Sequence, residues 1–140
     1  MSNTVVEKDN VMRLMEMTAI EVKPGYAKIS MPLKKEFKNG MGFAHGGTIF
    51  SLADIAFGAA ANEGVTNFVV TLTTSIEYLR PGSVGPLVAE AQLIRGGKHI
   101  QNYEVLVYDG EGTLIARTMT SGYTTTALLP PSKEDKRCQA

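Results

Sequence analysis

The 140-residue chain lacks several features that define particular classes of protein. It has one cysteine, Cys138, so no disulfide can form within the chain, and the polar surroundings of that residue argue against a catalytic thiol. Fourteen basic residues balance fourteen acidic ones, which argues against a nucleic-acid-binding surface, because such surfaces carry a basic excess. There are two histidines, and no ligand cluster has usable spacing, so we expect no metal site.

Targeting and membrane signals are also missing. The first residues, MSNTVVEKDN, lack the basic and apolar segments of a signal peptide. The longest apolar stretch, within residues 45–62, is too short to cross a membrane and contains Asp54. We therefore expect a cytoplasmic protein with no membrane partner. Its length and composition predict a single domain over residues 1–127, followed by a disordered tail over 128–140.

The hydrophobic pattern predicts a short helix, a hairpin, one long apolar helix and then a series of strands. Thr4 and Glu7 fit a capping box for the first helix. Residues 19–32 indicate two strands around a turn at Pro24 and Gly25. Strand patterns follow over 68–79, 87–95, 98–108 and 113–126, and short turns between the last three predict antiparallel neighbours. The order of elements predicts an α+β fold in which one antiparallel sheet faces one central helix.

The helix predicted within residues 45–62 is apolar on nearly every side. Its large apolar side chains include Ile49, Phe50, Leu52, Ile55 and Phe57. A helix of this kind is covered all round in a folded protein. Because one sheet covers only one side, we expect a homodimer in which a second copy covers the rest.

A glycine-rich loop, NGMGFAHGG (residues 39–47), precedes this helix, and Asp54 lies inside it. If the helix begins near Gly46 or Gly47, its free N–H groups and the positive end of its dipole form a site for an anion or a developing oxyanion. A carboxylate in an apolar helix is costly unless it is paired, hydrogen-bonded or used. A structural cap or an ion pair would explain Asp54 alone, but the preceding His-Gly-Gly favours a functional role.

The spacing of these groups has a further consequence. Asp54 lies seven residues after Gly47, nearly two helical turns, so it shares the same face but sits roughly 10 Å farther along the axis. One carbonyl group cannot touch both the helix start and the carboxylate of the same helix. If both act on one substrate, they come from two helices packed antiparallel, which agrees with the expected homodimer.

The segment NGMGFAHGGTIFSLAD resembles the signature of hotdog-fold acyl-CoA thioesterases of the phenylacetic-acid-degradation (PaaI-like) type. The segments IEYLRPG (76–82) and RGGK (95–98) are similar to that family as well, and the resemblance covers about residues 10–126. It implies the hotdog fold, in which an antiparallel β-sheet wraps a long central helix. It also implies a homodimer that pairs into a homotetramer, and it points to aromatic acyl groups, with medium-chain acyl groups next.

The same resemblance implies roles for particular residues. Asp54 would be the catalytic carboxylate, as general base or as nucleophile, and the Gly46 N–H would polarise the thioester carbonyl. The side chains of His45 and Asn39 would support the site. Substrate contacts are implied for Gly47, for Thr71 and Thr73 near the attacking water, and for Arg80, Arg95, Gly97 and Lys98 beside the phosphates of coenzyme A. No cofactor is implied beyond the coenzyme A of the substrate.

Two other functions stay open at this point. A non-catalytic acyl-CoA-binding module would use the same pocket, although it would not need a buried carboxylate. A hotdog dehydratase for hydroxyacyl thioesters would use a catalytic histidine in another arrangement, and His45, directly before Gly46, is wrongly placed for it. Arg80, Arg95 and Lys98 can also be ordinary solvated charges, and Asn39 an ordinary turn residue.

Overall fold

The computed structural model describes residues 4–129, which form one long helix packed against a six-stranded antiparallel sheet. The helices are α1 (Thr4–Lys8), α2 (Asn10–Leu14) and α3 (Gly46–Ala61), with a single 3-10 turn at Lys35–Phe37. The strands are β1 (Thr18–Lys23), β2 (Tyr26–Met31), β3 (Asn67–Tyr78), β4 (Leu87–Gly96), β5 (Ile100–Tyr108) and β6 (Leu114–Leu128). The predicted hairpin, central helix and strands are therefore confirmed.

The first helical segment differs from the prediction in detail. Two short helices replace one, and Asp9 caps the second of them, where its Oδ1 accepts from the Met12 N–H at 2.8 Å. The Thr4 side chain of the predicted capping box lies outside the described residues. At the other end of the chain, β6 continues to Leu128, and residues 130–140 of the predicted tail lie outside the described part.

The sheet has the strand order β1-β2-β4-β5-β6-β3. The last three strands are neighbours, as their short turns predict. β3 does not pair with β4, which follows it in sequence. The segment 81–86 carries the chain across the sheet instead, so β4 pairs with β2 and β3 lies at the far edge against β6.

The single chain covers α3 more completely than its apolar sequence led us to expect. Every strand of the sheet contacts the helix, and α1 adds a further contact. Ten of its sixteen residues are buried. The residues that stay partly accessible form one stripe along the helix, which we call the open stripe: Gly46, Gly47, Phe50, Ser51, Asp54 and Gly58. The expectation that a second copy must cover all remaining sides is wrong, because the curled sheet leaves only this stripe.

The free edge of β3 is the second uncovered feature. This strand has twelve residues and pairs only with β6 within residues 4–129. Val70 and Leu72 on this strand are 43% and 54% exposed. A long edge strand with exposed apolar side chains is a template for pairing with another strand.

Within residues 4–129, no helix is both long and apolar enough to span a membrane.

Candidate active site

The helix α3 begins at Gly46, and its first turn leaves one N–H group free. The His45 carbonyl accepts hydrogen bonds from the N–H groups of Thr48 (2.9 Å) and Ile49 (3.1 Å). The Gly47 N–H donates to Nδ1 of His45 at 3.0 Å. Within residues 4–129 the Gly46 N–H has no acceptor, so it is the donor that this helix start offers to another molecule.

His45 therefore acts as the N-cap of α3. Because its Nδ1 accepts the Gly47 N–H, the neutral ring carries its proton on Nε2. The cap agrees with a role for His45 in orienting the loop. It also means that Gly47 contributes no free N–H to a substrate, although Gly47 itself is exposed at the beginning of the open stripe.

Asn39 organises the loop in front of the helix. Its Oδ1 accepts from the N–H groups of Met41 (2.9 Å) and Phe43 (3.1 Å), and its own N–H donates to the Phe43 carbonyl at 2.7 Å. The loop reverses direction at Gly42, whose φ of +85° lies in the left-handed region that glycine tolerates. Since Oδ1 is occupied by the loop, the amide has a fixed orientation and Nδ2 is its remaining polar group.

A cavity of about 300 Å³ lies beside the helix start. Most of its lining residues are apolar; Gly46 lines it, and the lining residues with polar side chains are Asn39, Tyr78 and Arg80. The other lining residues are Met41, Phe43, Ala44, Ile49, Leu79, Pro81 and Gly82. The structure thus brings Asn39, Gly46 and Arg80 together around one cavity.

Tyr78 lines this cavity with a polar side chain, and the sequence analysis did not identify it as a site residue. It is the last residue of β3, and its hydroxyl donates to the Gly46 carbonyl at 2.8 Å. The segment IEYLRPG contains it, but nothing in the pattern of that segment indicates that the tyrosine reaches the start of α3.

Asp54 lies in the middle of the open stripe and is half-buried. The Thr71 hydroxyl donates to its Oδ1 at 3.0 Å. Asp54 takes part in none of the ion pairs formed within residues 4–129, and no backbone group there donates to it. The structural explanations for this carboxylate, a cap or an ion pair, are therefore not supported.

The surroundings of Asp54 favour its neutral form. Burial removes water from the carboxylate and raises its pKa from the ordinary value of 3.8. The Thr71 hydrogen bond opposes this rise, and the negative charge of Asp9 adds to it. A carboxylate with a raised pKa is a stronger base than an exposed one, so this environment suits proton abstraction.

Thr73 does not accompany Thr71, which corrects our expectation for this pair. The strand alternation of β3 is interrupted by a bulge between Thr71 and Thr73. Thr71 lies opposite Gly122, on the face toward α3, since a Cβ on Gly122 would meet the Phe57 ring at 2.7 Å. Thr73 lies opposite Ser121 on the other face, where it lines a separate cavity of about 300 Å³.

Arg95, Gly97 and Lys98 are remote from Arg80 within one chain. Their turn joins β4 to β5 and lies beside Thr124, which is paired with Val69 near the beginning of β3. Arg80 follows the end of β3, so roughly 30 Å of strand separates the two positions. Gly97 also has a structural reason to be glycine, because a Cβ there would lie 2.6 Å from the Ile100 carbonyl oxygen.

The Gly46 N–H and the Asp54 carboxylate are separated along the same helix by roughly 12 Å, the rise of the intervening residues. One chain therefore carries two separate groups of candidate residues, which we call candidate half-sites. The first, at the helix start, offers a hydrogen-bond donor in an apolar cavity. The second, in the middle of the helix, offers a partly desolvated base held by Thr71. Within residues 4–129 no group of three or more His, Cys, Asp or Glu side chains could hold a metal ion.

A long helix packed against one six-stranded antiparallel sheet defines a hotdog-fold protein, and comparison with known proteins gives its family. The family profile described as the thioesterase superfamily matches residues 41–116. A putative esterase from Archaeoglobus fulgidus is 35% identical over 127 residues, covering 90% of this chain and 82% of that protein. The acyl-coenzyme A thioesterase PaaI of Escherichia coli is 31% identical over 116 residues, covering 82% of each. The chain therefore belongs to the thioesterase superfamily.

Solved structures agree with this assignment. The structure of the E. coli PaaI protein from the phenylacetic acid degradation operon matches with a TM-score of 0.84 and 28% identity, over 89% of this chain and 90% of that one. A protein from Streptococcus mutans, solved bound to acetyl-CoA, matches with a TM-score of 0.73 and 25% identity, over 78% and 88%. The hotdog fold and the PaaI-like character indicated by the sequence are confirmed.

Proposed function

We propose that the protein hydrolyses acyl-CoA thioesters to a free carboxylic acid and coenzyme A. The observation that carries the proposal is the free N–H of Gly46, a residue that lines a mainly apolar cavity, on the same helix as a partly desolvated carboxylate, Asp54. A donor aimed at a developing oxyanion and a base are the two groups that ester hydrolysis needs. Further support comes from the relatives, one of which is an acyl-CoA thioesterase and another of which binds acetyl-CoA.

In the proposed reaction the thioester carbonyl oxygen accepts a hydrogen bond from the Gly46 N–H. Asp54 removes a proton from a water molecule, and the resulting hydroxide attacks the carbonyl carbon. The tetrahedral intermediate expels the coenzyme A thiolate, which takes up the proton that Asp54 removed from water, and the carboxylate is restored. Direct attack by Asp54, giving a mixed anhydride that water then cleaves, is the other route, and the raised pKa of Asp54 strengthens its carboxylate both as a base and as a nucleophile.

The other residues of the site have supporting roles in this proposal. Asn39 presents Nδ2 to the substrate while its Oδ1 holds the loop. His45 caps the helix and so keeps Gly47 in place. Arg80 at the helix-start cavity, with Arg95 and Lys98 of a different subunit, supplies cations for the phosphates of coenzyme A. Aromatic acyl groups are the first candidates, since PaaI relatives come from phenylacetic acid degradation.

We further propose a homodimer in which each active site takes Gly46 from one subunit and Asp54 from the other. The axial separation of roughly 12 Å prevents one chain from placing both groups on one carbonyl. The free edge of β3 and its exposed Val70 and Leu72 provide a surface on which a second β3 can pair. Such pairing brings a second chain to the side of the sheet where Thr71 holds Asp54. Association of two dimers into a tetramer remains a prediction.

A thiol-release assay over a panel of acyl-CoA esters tests the activity. Release of coenzyme A from at least one ester, with the aromatic esters fastest, is the expected result. Tight binding of acyl-CoA without thiol release would instead indicate a binding module. Water addition to or loss from a hydroxyacyl or enoyl thioester, without thiol release, would indicate a dehydratase.

The shared site is tested by mixing two inactive variants, Asp54→Ala and Gly46→Pro. The second variant lacks the N–H group that the site uses. In a mixed dimer one site receives the intact Gly46 of the first chain and the intact Asp54 of the second. Random mixing makes about half of the dimers mixed, so activity should return to about a quarter of the parent value. Mixed dimers that are verified by mass and show no recovered activity would exclude a shared site.

A further inference from the structure

We propose that Tyr78 is a positioning residue that fixes the Gly46 peptide at the start of α3, and with it the N–H group of the proposed oxyanion site. The inference rests on the proposed function. Tyr78 has no other assigned role, and it comes from a different element, the end of β3.

The contact between Tyr78 and Gly46 is close and directional. The tyrosine hydroxyl donates to the Gly46 carbonyl oxygen at 2.8 Å. A Cβ on Gly46 would lie 3.1 Å from Oη and 3.2 Å from Cζ of the same ring. The ring therefore lies against the Cα of Gly46, and a Cβ at this position would require the ring to shift by a few tenths of an ångström.

The backbone around Tyr78 is held by the neighbouring strand β6. It is paired with Ala116 of β6, and the N–H groups of the next two residues, Leu79 and Arg80, both donate to the Ile115 carbonyl, at 2.8 Å and 3.2 Å. The ring thus transmits the position of the sheet edge to the first residue of the helix.

The two peptide groups that flank the Gly46 Cα are both held. The peptide group between Gly46 and Gly47 is bound at its oxygen by Tyr78 and at its N–H by His45. The peptide group between His45 and Gly46 is bound at its oxygen by the N–H groups of Thr48 and Ile49. The Gly46 N–H is the one polar group of this set with no bond in residues 4–129, and the others determine its direction.

This rigidity matters because helix ends fray and glycine is the most flexible residue there. A donor that is already in place stabilises a developing oxyanion without reorganising when the charge appears. Tyr78 is the only member of the set that comes from outside the loop and first turn of α3, so it links the helix start to the sheet.

Tyr78→Phe tests the inference, because it removes the hydroxyl and keeps the ring. We expect kcat to fall about tenfold, with KM within about twofold, since the hydroxyl acts on the donor rather than on the bound substrate. Tyr123→Phe is the matched control: Tyr123 is a half-exposed tyrosine of β6 that stacks on His99, away from the cavity, and we expect no change in kcat. A lower melting temperature with an unchanged kcat in Tyr78→Phe would overturn the inference.

A double-mutant cycle tests whether Tyr78 acts through Gly46. Gly46→Ala keeps the N–H group, but its methyl lies 3.1 Å from the Tyr78 hydroxyl oxygen, so we expect the ring to shift and its hydrogen bond to weaken. We expect the double variant Gly46→Ala, Tyr78→Phe to lose no more activity than the worse single variant. If the two losses multiply, Tyr78 acts independently of Gly46 and the inference is wrong.

Amide hydrogen exchange separates this inference from the proposed activity. The Gly47 N–H shares a peptide group with the carbonyl that Tyr78 holds. Its exchange should accelerate about tenfold or more in Tyr78→Phe and stay unchanged in Tyr123→Phe. A protein that releases no thiol from any acyl-CoA but shows this exchange pattern refutes the proposed function and leaves the positioning contact intact. Unchanged exchange of Gly47 refutes the positioning role.

Discussion

Asp54 and Asn62 are polar residues carried by the same apolar segment, and the protein surrounds them in opposite ways. Asn62 is 6% exposed and fully bonded: its Nδ2 donates to the Gly58 and Val69 carbonyls at 2.9 Å and 3.0 Å, and its Oδ1 accepts the Val69 N–H at 2.9 Å. Asp54 is more accessible, yet its one hydrogen bond within residues 4–129 comes from Thr71.

The difference separates a structural polar residue from one available for chemistry. Asn62 joins the end of α3 to the beginning of β3, and every polar atom of its side chain is used in that task. Asp54 bonds no backbone group of a neighbouring element, loses hydration, and keeps one oxygen free within the described chain. Buried polar groups are normally satisfied, so the partly satisfied one of the pair is the candidate for function.

The largest expected effect is on activity at Asp54. Asp54→Asn should lower the rate of thiol release by roughly 10²–10⁴-fold, the usual contribution of a positioned base. The amide has nearly the same shape, so the variant should still bind acyl-CoA, which a titration in parallel can measure. An Asp54→Asn enzyme that works at near the parent rate would remove Asp54 from the mechanism and end the contrast with Asn62.

The second prediction concerns Asn62, where we expect a substitution to lower stability and leave activity nearly unchanged. Asn62→Ala takes the side-chain partner from the buried N–H and carbonyl of Val69, while the Gly58 carbonyl keeps the backbone N–H of residue 62, at an expected cost on the order of 3 kcal/mol in the free energy of unfolding. Urea denaturation at a fixed protein concentration measures this loss. The activity per folded molecule should stay within about twofold of the parent value, because Asn62 touches no group of the proposed reaction. A large loss of activity in fully folded Asn62→Ala would show that the two residues do not divide function from structure.

Much of this arrangement follows from local pattern. The His-Gly-Gly segment predicts the start of α3, because glycine and a capping side chain end the loop there. The long apolar run predicts the central helix, and β-branched residues and alternation predict the strands. The distance between Gly46 and Asp54 follows from helix geometry alone, and so does the idea of two candidate half-sites.

What the sequence does not predict depends on irregular or long-range geometry. The bulge after Thr71 turns Thr73 to the opposite face, and alternation alone would place both threonines on one side. The position of β3 at the sheet edge depends on the path of residues 81–86 across the sheet. The contact of Tyr78 with Gly46 joins residues far apart in sequence, so no local pattern contains it.

The smallest expected effect is on the pH dependence of stability, and it gives the most direct test of the contrast between Asp54 and Asn62. Because burial raises the pKa of Asp54 above its ordinary value of 3.8, folding favours the protonated carboxyl group. This contribution to stability is fully present below pH 3.8 and is lost as the pH rises through the raised pKa of the folded state. An asparagine at position 54 does not ionise, so Asp54→Asn should be more stable than the parent at pH 7, and its advantage should shrink toward pH 4.

Urea denaturation of both proteins at pH 4, 5.5 and 7, at one protein concentration, measures the difference. Neither asparagine nor alanine ionises at position 62, so the loss of stability in Asn62→Ala should be the same at all three pH values. If the difference in the free energy of unfolding between Asp54→Asn and the parent stays constant with pH, the Thr71 hydrogen bond offsets the desolvation of Asp54. The fold would then impose no net penalty on the charged carboxylate, and the contrast with Asn62 would fail.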